Sequence, residues 1–459
     1  MTRPDPNDPG LLAAGELSLL CDLYELTMAA SYHREGLDGQ AVFELFVRRL
    51  PPHRDWLLVA GIGPALRLVR ELRFGPAELG YLRELGFDGG FLEYLEGFRF
   101  AGDIDAMPEG TVCFAGEPLL RVTGPRIEAQ LLETLLLNQV NFQTMVATKA
   151  ARVVLAAGGG EPGAGERVID FSPRRDHGID AAMKVARSAA VAGCGGTSNV
   201  AAAARYGLAA VGTMAHSYVL SFATELDAFR AFLRAFPDNG VLLVDTFDVE
   251  QGVRNAISAA LETEARLRGV RIDSGELEPL ARRARDLLDE AGMRETQIVV
   301  SGDLEEQSIA SLVAGGAPVD VFGVGTELGT SRDSPVVNGV YKLVADAAPD
   351  GGWRGVRKLS ADKATLPGPK QVFRRSERGD FREDLVTAED QDSEGEPLLV
   401  PFMRAGEIVR EEPLSQLRER TEASMRALPA RLRGPQLASE PYPVRFSDRL
   451  TDAGLPVQG

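Results

Sequence analysis

Short strands and helices alternate along residues 167–322, and this alternation constrains the fold more than any other feature of the sequence. Runs rich in β-branched residues lie at 167–171, 209–213, 241–245, 269–273, 297–301 and 319–322. Helical patterns fill most of the gaps, among them 277–291. Such alternation predicts βα units and a parallel sheet. Because no GxGxxG motif follows the first strand, the pattern favours an irregular TIM-like α/β barrel over an open dinucleotide-binding sheet.

The residues on both sides of this region predict a second domain. Residues 1–125 hold a helical pattern over 21–32, an alternating strand over 41–50, two strands over 111–123 with a turn at Gly116, and short helices. We therefore expect an α+β domain built from residues 1–125 and completed by residues 346–459. The α/β barrel is expected over residues 126–345, opening with a long helix at 127–155. Residues 400–459 are expected to form a helical and irregular tail.

Charge and cysteine content narrow the function classes. The chain carries 50 Lys and Arg against 67 Asp and Glu, a net charge of −17. No general positive field is therefore available for nucleic acid or an anionic membrane, although a local cluster can still bind phosphate. The three cysteines form no disulfide framework and no pair has metal-ligand spacing. With no signal peptide or membrane span in the pattern, we expect a cytoplasmic protein.

Polar residues and glycines gather where the predicted strands end. In a parallel barrel these ends meet on the face that carries the active site. One histidine, several carboxylates, three arginines and two glycine-bearing loops together predict a phosphorylated, anionic substrate. The clusters are Phe171-Ser172-Pro173-Arg174-Arg175, Thr213-Met214-Ala215-His216-Ser217, Asp245-Thr246-Phe247-Asp248, Arg271-Ile272-Asp273-Ser274-Gly275, Ser301-Gly302-Asp303 and Gly323-Val324-Gly325-Thr326.

Several of these residues also have a purely structural interpretation. Gly323 and Gly325 can be turn glycines. The run Asp273-Ser274-Gly275 can cap the helix that follows it. Asp245 ends an apolar run, so a structural ion pair is the alternative to a role in catalysis.

Nine motifs occur in one order along residues 22–374. They are Asp22-Leu23-Tyr24-Glu25-Leu26-Thr27-Met28, Phe171-x-x-Arg174-Arg175, Gly196-Thr197-Ser198-Asn199, Gly212-Thr213-Met214-Ala215-His216-Ser217, Asp245-Thr246-Phe247-Asp248, Arg271-Ile272-Asp273-Ser274-Gly275, Phe322-Gly323-Val324-Gly325-Thr326, Lys358-Leu359-Ser360 and Pro367-Gly368-x-Lys370-Gln371. In these motifs the chain resembles the nicotinate phosphoribosyltransferases, of the type II phosphoribosyltransferase fold. It departs from the family at Ser172-Pro173, where Gly commonly follows the Phe, and at Asp176-His177, which replace residues that are usually small or uncharged.

The resemblance implies an ATP-coupled reaction in which nicotinate and phosphoribosyl pyrophosphate (PRPP) give nicotinate mononucleotide and pyrophosphate. This is the first step of NAD salvage from nicotinate. It implies that ATP is a co-substrate, hydrolysed to ADP and phosphate through a phosphohistidine at His216, with Asp245 as the orienting carboxylate. Arg271 and Asp273 complete the implied catalytic set. Mg²⁺ is the implied cofactor, held through phosphates, with Asp273 as a candidate ligand.

The resemblance also assigns binding residues. Those implied for nicotinate are Tyr24, Phe171, Arg174, Ser198 and Thr213. Those implied for PRPP and its phosphates are Arg175, Arg271, Ser301, Gly302, Gly323, Gly325 and Thr326. Because the family places the N-terminal Tyr in the partner subunit's site, a homodimer with shared active sites is expected.

Other functions remain as alternatives at this stage. Nicotinamide enzymes of this fold resemble the chain, but have an acid where it has Ser198, and an acid would repel nicotinate. A quinolinate enzyme is shorter and has no ATP step. A type I phosphoribosyltransferase needs two adjacent acids and a Thr-Gly, which Thr246-Phe247 interrupts. A non-catalytic paralogue that senses a pyridine or nucleotide is the alternative from another class.

Overall fold

The computed structural model describes residues 11–12, 14–348, 351–357 and 365–452. Contacts divide the chain into two compact units. Unit 1 comprises residues 1–145, 336–429 and 438–459, and unit 2 comprises residues 146–335 and 430–437. The domain limits expected at 125/126 and 345/346 stay a prediction.

Helices occur throughout the described residues. They are α1 (Leu23–Arg34), α2 (Ile62–Glu71), α3 (Pro76–Glu84), α4 (Gly89–Glu96), α5 (Arg126–Gln130), α6 (Glu133–Ala157), α7 (Ile179–Val191), α8 (Val200–Tyr206), α9 (His216–Val219), α10 (Glu225–Ala235), α11 (Val249–Thr263), α12 (Leu277–Glu290), α13 (Glu306–Ala314), α14 (Thr326–Thr330), α15 (Leu414–Ala427) and α16 (Asp448–Asp452). Short 3₁₀ segments lie at Ala14–Leu19, Gly165–Arg167 and Ala430–Leu432.

The strands belong to four sheets. They are β1 (Gln40–Val47), β2 (Leu57–Leu58), β3 (Asp103–Ala106), β4 (Val112–Cys113), β5 (Pro118–Pro125), β6 (Val168–Asp170), β7 (Gly196–Thr197), β8 (Gly240–Leu243), β9 (Leu267–Ile272), β10 (Gln297–Val300), β11 (Val321–Val324), β12 (Gly339–Ala347), β13 (Trp353–Gly355), β14 (Lys370–Glu377), β15 (Asp380–Ala388), β16 (Glu396–Pro397), β17 (Val400–Arg404), β18 (Glu407–Ile408) and β19 (Val444–Phe446).

Unit 1 is built on a seven-stranded sheet in the order β13-β12-β1-β5-β3-β17-β18. Strand β1, which lies between β12 and β5, is buried along most of its length. Its one buried polar residue is Glu44, whose carboxylate pairs with Lys370 at 2.8 Å. A four-stranded sheet, β16-β14-β15-β19, and the pair β2-β4 complete the unit. Residues 14–125 contain the expected mixture of helices and strands, including the turn at Gly116, whose φ is 87°.

Unit 2 contains the repeated βα pattern. Its six strands pair in parallel in the order β7-β6-β11-β10-β9-β8. The sheet curls into an irregular half-barrel with helices α7, α11, α12 and α13 in the connections. Strands β6 and β10 and the ends of β9 and β11 are largely buried, as expected for a parallel sheet covered by helices. The α/β class is confirmed.

The strand expected over Ala209–Thr213 is wrong as a strand, although the segment has a place in the sheet. Ala210 makes a single parallel bridge to Thr197 of β7. At its other end the Thr213 hydroxyl donates a hydrogen bond to the Val241 carbonyl of β8. The segment therefore fills the seam between the two edge strands. It extends no ladder because Gly212 and the short run after it leave too few residues to pair.

A buried ionic cluster stabilises the end of the half-barrel. Lys149 of α6 is fully buried, and its ammonium lies 2.5 Å from Glu306, 3.0 Å from Asp333 and 3.6 Å from Glu327. Arg152 adds a second contact to Glu306 at 3.1 Å. A buried charge needs such partners because desolvation would otherwise neutralise it. The cluster thereby ties α6 to α13 and α14.

Candidate active site

A cavity of about 240 Å³ lies at the carboxyl ends of the strands of unit 2. Ten of the residues predicted for the site line it: Phe171, Arg174, Arg175, Arg271, Asp273, Ser301, Gly302, Gly323, Gly325 and Thr326. These come from four strand ends, β6, β9, β10 and β11. The parallel topology brings them together because all four strands end at the same edge of the sheet.

Arg271 organises the floor of this cavity. Its Nε donates to the Ser301 hydroxyl at 2.8 Å, and one Nη donates to Asp273 at 2.6 Å. Ser301 donates a short hydrogen bond to the same Asp273 oxygen. The guanidinium carbon lies 5.4 Å from the centroid of the Phe171 ring, a cation–π distance. A planar, fixed guanidinium in an open cavity is suited to bind phosphate oxygens.

Asp273 is held as a carboxylate. Burial alone would raise its pKa, but the hydrogen bond from Ser301 and the positive charge and hydrogen bond of Arg271 outweigh burial and hold the pKa below its ordinary value. The capping alternative is wrong, because α12 begins after Glu276 and that residue provides no side-chain cap. Asp273 therefore presents a negative charge to the cavity at neutral pH.

Asp245 and His216 lie beside one another. The Asp245 side chain is 2% exposed, and its Oδ2 accepts from the Asp273 N–H at 2.9 Å and the Ser274 hydroxyl at 2.7 Å. Its Oδ1 lies 3.9 Å from His216 Nε2. On the other side of the ring, His216 Nδ1 lies 3.2 Å from the Thr246 hydroxyl. Asp245 forms no ion pair with Lys or Arg in the described residues. The alternative that Asp245 serves only in a structural ion pair therefore loses support.

Two glycines on the cavity wall have no room for a side chain. Gly302 has a φ of +94°, and a Cβ there would lie 2.1 Å from the Asp273 carbonyl oxygen. A Cβ on Gly323 would lie 2.5 Å from the Phe171 ring. Both glycines are therefore needed for close approach between neighbouring strand ends. The turn interpretation of Gly323 is insufficient, since it lies within β11.

Arg174 and Arg175 follow β6 and are exposed on the cavity rim. Neither guanidinium has a carboxylate partner among the described residues. The acids Asp273, Asp303 and Glu327 also line the cavity, so the positive charge is local to the rim, where two cations without a carboxylate partner lie in a chain whose net charge is −17. This arrangement can bind an anion of several charges.

Five predicted residues lie outside the lining of this cavity. Ser198 donates its N–H to the Asp170 carbonyl at 2.8 Å, and the Thr213 hydroxyl is engaged in the seam. Asp245 is joined to the cavity through the Asp273 N–H, and His216 lies beside Asp245. Tyr24 is in unit 1, in the first turn of α1, and its role stays a prediction. The motif Lys358-Leu359-Ser360 lies outside the described residues.

Three lining residues were given no role by sequence reasoning. Asp303 was placed in the cluster after β10 without a role, Leu304 follows it, and Glu327 follows Thr326. Asp303 has a positive φ of 47°, an uncommon backbone conformation for a residue other than glycine. Its position after Ser301-Gly302 was the only available signal.

The oxygen atoms near Asp245 suit a metal ion that takes most of its other ligands from a bound substrate and water. No group of three His, Cys, Asp or Glu side chains in the described residues could hold a metal ion by itself. Asp245 Oδ1 is buried and has no hydrogen-bond partner in that part of the chain. Mg²⁺ typically takes one or two carboxylates and completes its shell with water and phosphate oxygens. A single carboxylate oxygen without a hydrogen-bond partner, near the arginine-lined cavity, matches that requirement.

Comparisons with known families agree with the order of the motifs. The model of the nicotinate phosphoribosyltransferase N-terminal domain matches residues 19–141. The model of the nicotinate phosphoribosyltransferase family matches residues 167–345. In the described residues no helix is both long and apolar enough to span a bilayer.

Individual relatives match over most of the chain. A nicotinate phosphoribosyltransferase of Mycobacterium tuberculosis is 45% identical over 438 residues, which covers 94% of this chain and 92% of the relative. The Bacillus subtilis enzyme of the same name is 43% identical over 365 residues, 78% of this chain and 73% of the relative. The crystal structure of human nicotinic acid phosphoribosyltransferase superposes with a TM-score of 0.81 at 28% identity, covering 94% of this chain and 99% of the other.

Proposed function

Because the chain belongs to the nicotinate phosphoribosyltransferase family, we propose that it joins nicotinate to PRPP, giving nicotinate mononucleotide and pyrophosphate. The observation that carries the proposal is the cavity that combines Arg174, Arg175 and Arg271 with an aromatic ring and two glycine-bearing loops. Such a site suits a substrate with two phosphorylated ends and a flat ring.

PRPP is the substrate that the loops and arginines would bind. Gly302, Gly323, Gly325 and Thr326 border the part of the cavity suited to the 5′-phosphate. The arginines, above all Arg271, would hold the pyrophosphate as it leaves. The displacement at ribose C1 has oxocarbenium character, so catalysis rests on positioning and on stabilising the leaving group. The pyridine nitrogen needs no strong base.

Nicotinate would stack on Phe171, and its carboxylate would pair with Arg174. Ser198 adds no negative charge that would repel this carboxylate, and Thr213 and the partner subunit's Tyr24 complete the proposed set. The proposal therefore includes a homodimer with shared sites. An enzyme that prefers nicotinamide is the second candidate, and no observation favours it.

ATP hydrolysis to ADP and phosphate is proposed to pass through phosphorylated His216. An imidazole becomes an effective nucleophile when neighbours hold its ring in one orientation. The Asp245 and Thr246 contacts on the two ring nitrogens support this assignment. Mg²⁺, held by phosphates and a carboxylate such as Asp245 or Asp273, would neutralise charge on the leaving group.

A product assay tests the proposal. The enzyme is supplied with PRPP and Mg²⁺, with nicotinate and nicotinamide in parallel, and with or without ATP. Nicotinate mononucleotide as the preferred product, increased by ATP and accompanied by ADP, is the expected result. Preference for nicotinamide would overturn the Ser198 argument. No product from either ring would favour the non-catalytic sensor.

The free thiols Cys21, Cys113 and Cys194 are consistent with a cytoplasmic site of action.

A histidine substitution tests the ATP step separately. We expect His216→Asn to lower ADP formation by about a hundredfold or more, because the amide cannot accept a phosphoryl group, while some uncoupled transfer persists. His53→Asn is the matched control, since His53 is exposed and Asn tolerates its positive φ of 60°. ADP formation at the parental rate in the His216 variant would exclude the phosphohistidine.

A further inference from the structure

A small polar cluster lies under residues 171–177, the segment that carries Arg174 and Arg175 and is called here the arginine loop. Asp170, 1% exposed at the end of β6, accepts from the Ser172 N–H at 2.9 Å and from the Ser172 hydroxyl at 2.6 Å. The same Ser172 oxygen lies 3.1 Å from Asp176 Oδ2. Ser172 therefore stands between two carboxyl groups.

Counting protons shows that both carboxyl groups cannot be ionised and hydrogen-bonded at once. A serine hydroxyl has one hydrogen to donate. At 2.6 Å that hydrogen belongs to Asp170, which also accepts from Thr197 at 2.7 Å and so makes the contacts of an ionised carboxylate. Asp176 can then bond to Ser172 only by donating a proton of its own. Its Oδ1 is buried with no partner in the described residues, an arrangement that an ionised carboxylate avoids.

The same two side chains pack against α14, the helix that follows Gly325. A Cβ on Gly329 would lie 2.0 Å from Asp176 Oδ1 and 2.6 Å from Ser172 Cβ. The bare backbone at Gly329 lets the arginine loop approach α14 this closely. The cluster therefore joins two segments that line the cavity, the arginine loop and the start of α14.

We propose that Ser172 and Asp176 are positioning residues for phosphorylated substrate, and that they dock the arginine loop on α14 only while the Asp170–Ser172–Asp176 cluster keeps its proton. Without the proton, two carboxylates face one serine oxygen, and the loop that presents Arg174 and Arg175 loses its support. Ser172 and Asp176 do not line the cavity. They act through the position of Arg174 and Arg175, so the expected effect is on the affinity for the substrate. The identity of the substrate, PRPP, rests on the proposed function.

The charged groups around Asp176 set the pH at which the proton leaves. Burial raises the pKa of Asp176 to about 6. The nearby Asp170 carboxyl acts to raise this pKa further, and His177 acts to lower it. Burial also raises the pKa of Asp170. From α14 the nearest carboxylate, Glu327, is paired with Lys149 and Arg332. Because the folded pKa lies above the unfolded one, the cluster's stabilisation declines as pH rises from about 4 to above 6.

The variant Asp176→Asn tests the role of the proton. Its amide nitrogen can donate to Ser172 at every pH, so it mimics the protonated acid without titrating. The KM for PRPP is measured for both enzymes from pH 5.5 to pH 8. We expect the ratio of parental to variant KM to rise about fivefold across this range, the effect of one lost hydrogen bond. Titration of PRPP and of the other enzyme groups cancels in the ratio, and kcat changes little.

Infrared difference spectroscopy tests the proton without requiring turnover. The parental protein is expected to show a carboxylic acid C=O band that disappears with an apparent pKa near 6. Buried acids such as Glu25 and Glu117, whose pKa values are also raised, contribute bands common to both proteins, so the test is the component that is present in the parental protein and missing from Asp176→Asn. Parental and variant spectra with the same acid bands at every pH would overturn the proposal, as would a pH-independent KM ratio.

The variant Ser172→Ala provides a second line of evidence. It removes the bridge and leaves Asp176 free to ionise, so a KM for PRPP that stays at its high-pH value throughout is expected. A parental pH profile in this variant would contradict the proposal. If nicotinate mononucleotide is never formed, the proposed function fails, and the infrared bands of the three proteins still decide where the proton lies.

Discussion

Arg271 is the residue that joins the largest number of site groups. It contacts Asp273, Ser301 and the Phe171 ring in one geometry. A lysine would keep the charge but would lose the planar fork and the ring contact. We expect Arg271→Lys to lower kcat/KM for PRPP by about 10- to 100-fold. Arg268→Lys, an exposed position on the same strand, should leave it unchanged.

Steady-state kinetics and circular dichroism of the two arginine variants check this prediction. If Arg271→Lys had the same kcat/KM for PRPP as the parental enzyme, Arg271 would act through its charge alone. Equal losses in both variants would instead indicate a general effect of replacing arginine on β9.

At the residue scale, the sequence predicts where polar groups gather but not which partner each one takes. Arg271, Asp273 and Ser301 could be placed together because parallel strand ends meet at one edge. The hydroxyl of Ser274 could equally have capped a helix, and only the structure shows it on Asp245. The Ser172–Asp176 contact escaped prediction because it depends on a loop that folds back over four residues.

At the scale of single elements, β11 depends on a glycine. We expect Gly323→Ala to lower the free energy of unfolding by about 1–3 kcal/mol and to raise the KM for nicotinate, because its Cβ displaces the Phe171 ring. Gly80→Ala, in the interior of α3 with open space around it, should instead stabilise the protein by about 0.5–1 kcal/mol. Urea unfolding measures both changes. An unchanged KM for nicotinate in Gly323→Ala would remove Phe171 from the proposed ring site.

The spacing of apolar residues along the sequence predicted helices and strands well where an element is buried on one face or on both. The helix expected over 277–291 is α12, Leu277–Glu290, and the strand expected over 297–301 is β10. The run at 209–213 has the same composition as a buried strand, but its hydrogen bonds go to Thr197 and Val241 across a seam. Local sequence does not encode whether a neighbouring edge is available, so this element could not be predicted.

At the scale of the whole molecule, reactivity of the thiols reports on the native fold. Cys113 and Cys194 are buried, and burial raises the pKa of the half-buried Cys21 to about 12, with Glu25 and Asp22 adding to the shift. Because the thiolate is the reactive form, we expect all three thiols to react slowly with a disulfide reagent at pH 8 and rapidly in denaturant. The variant Cys21→Ser identifies any residual native reaction. A native thiol reacting as fast as free cysteine would contradict the environment described for Cys21.

Long-range pairing limits what the sequence can predict at this scale. Strand β1 pairs with β12, so that Ala41 lies opposite Asp346, about three hundred positions away. The hairpin of β14 and β15 lies in a region where sequence reasoning expected the second domain to be completed but assigned no strands. Partners this far apart leave no local periodic signal, because the pairing depends on the rest of the sheet.

The Lys149 cluster also bears on how such a sequence can change over time. Removing one member of a buried ionic set leaves the other charges buried without a partner. This typically lowers the free energy of unfolding by about 3–5 kcal/mol, a large part of the stability of most domains. Replacing the whole set by apolar residues can leave the stability unchanged, but a series of single substitutions must pass through intermediates that carry an unpaired buried charge. The positions of Lys149, Glu306 and Asp333 are therefore expected to evolve together. In descendants of this chain all three residues should be kept, or all three replaced.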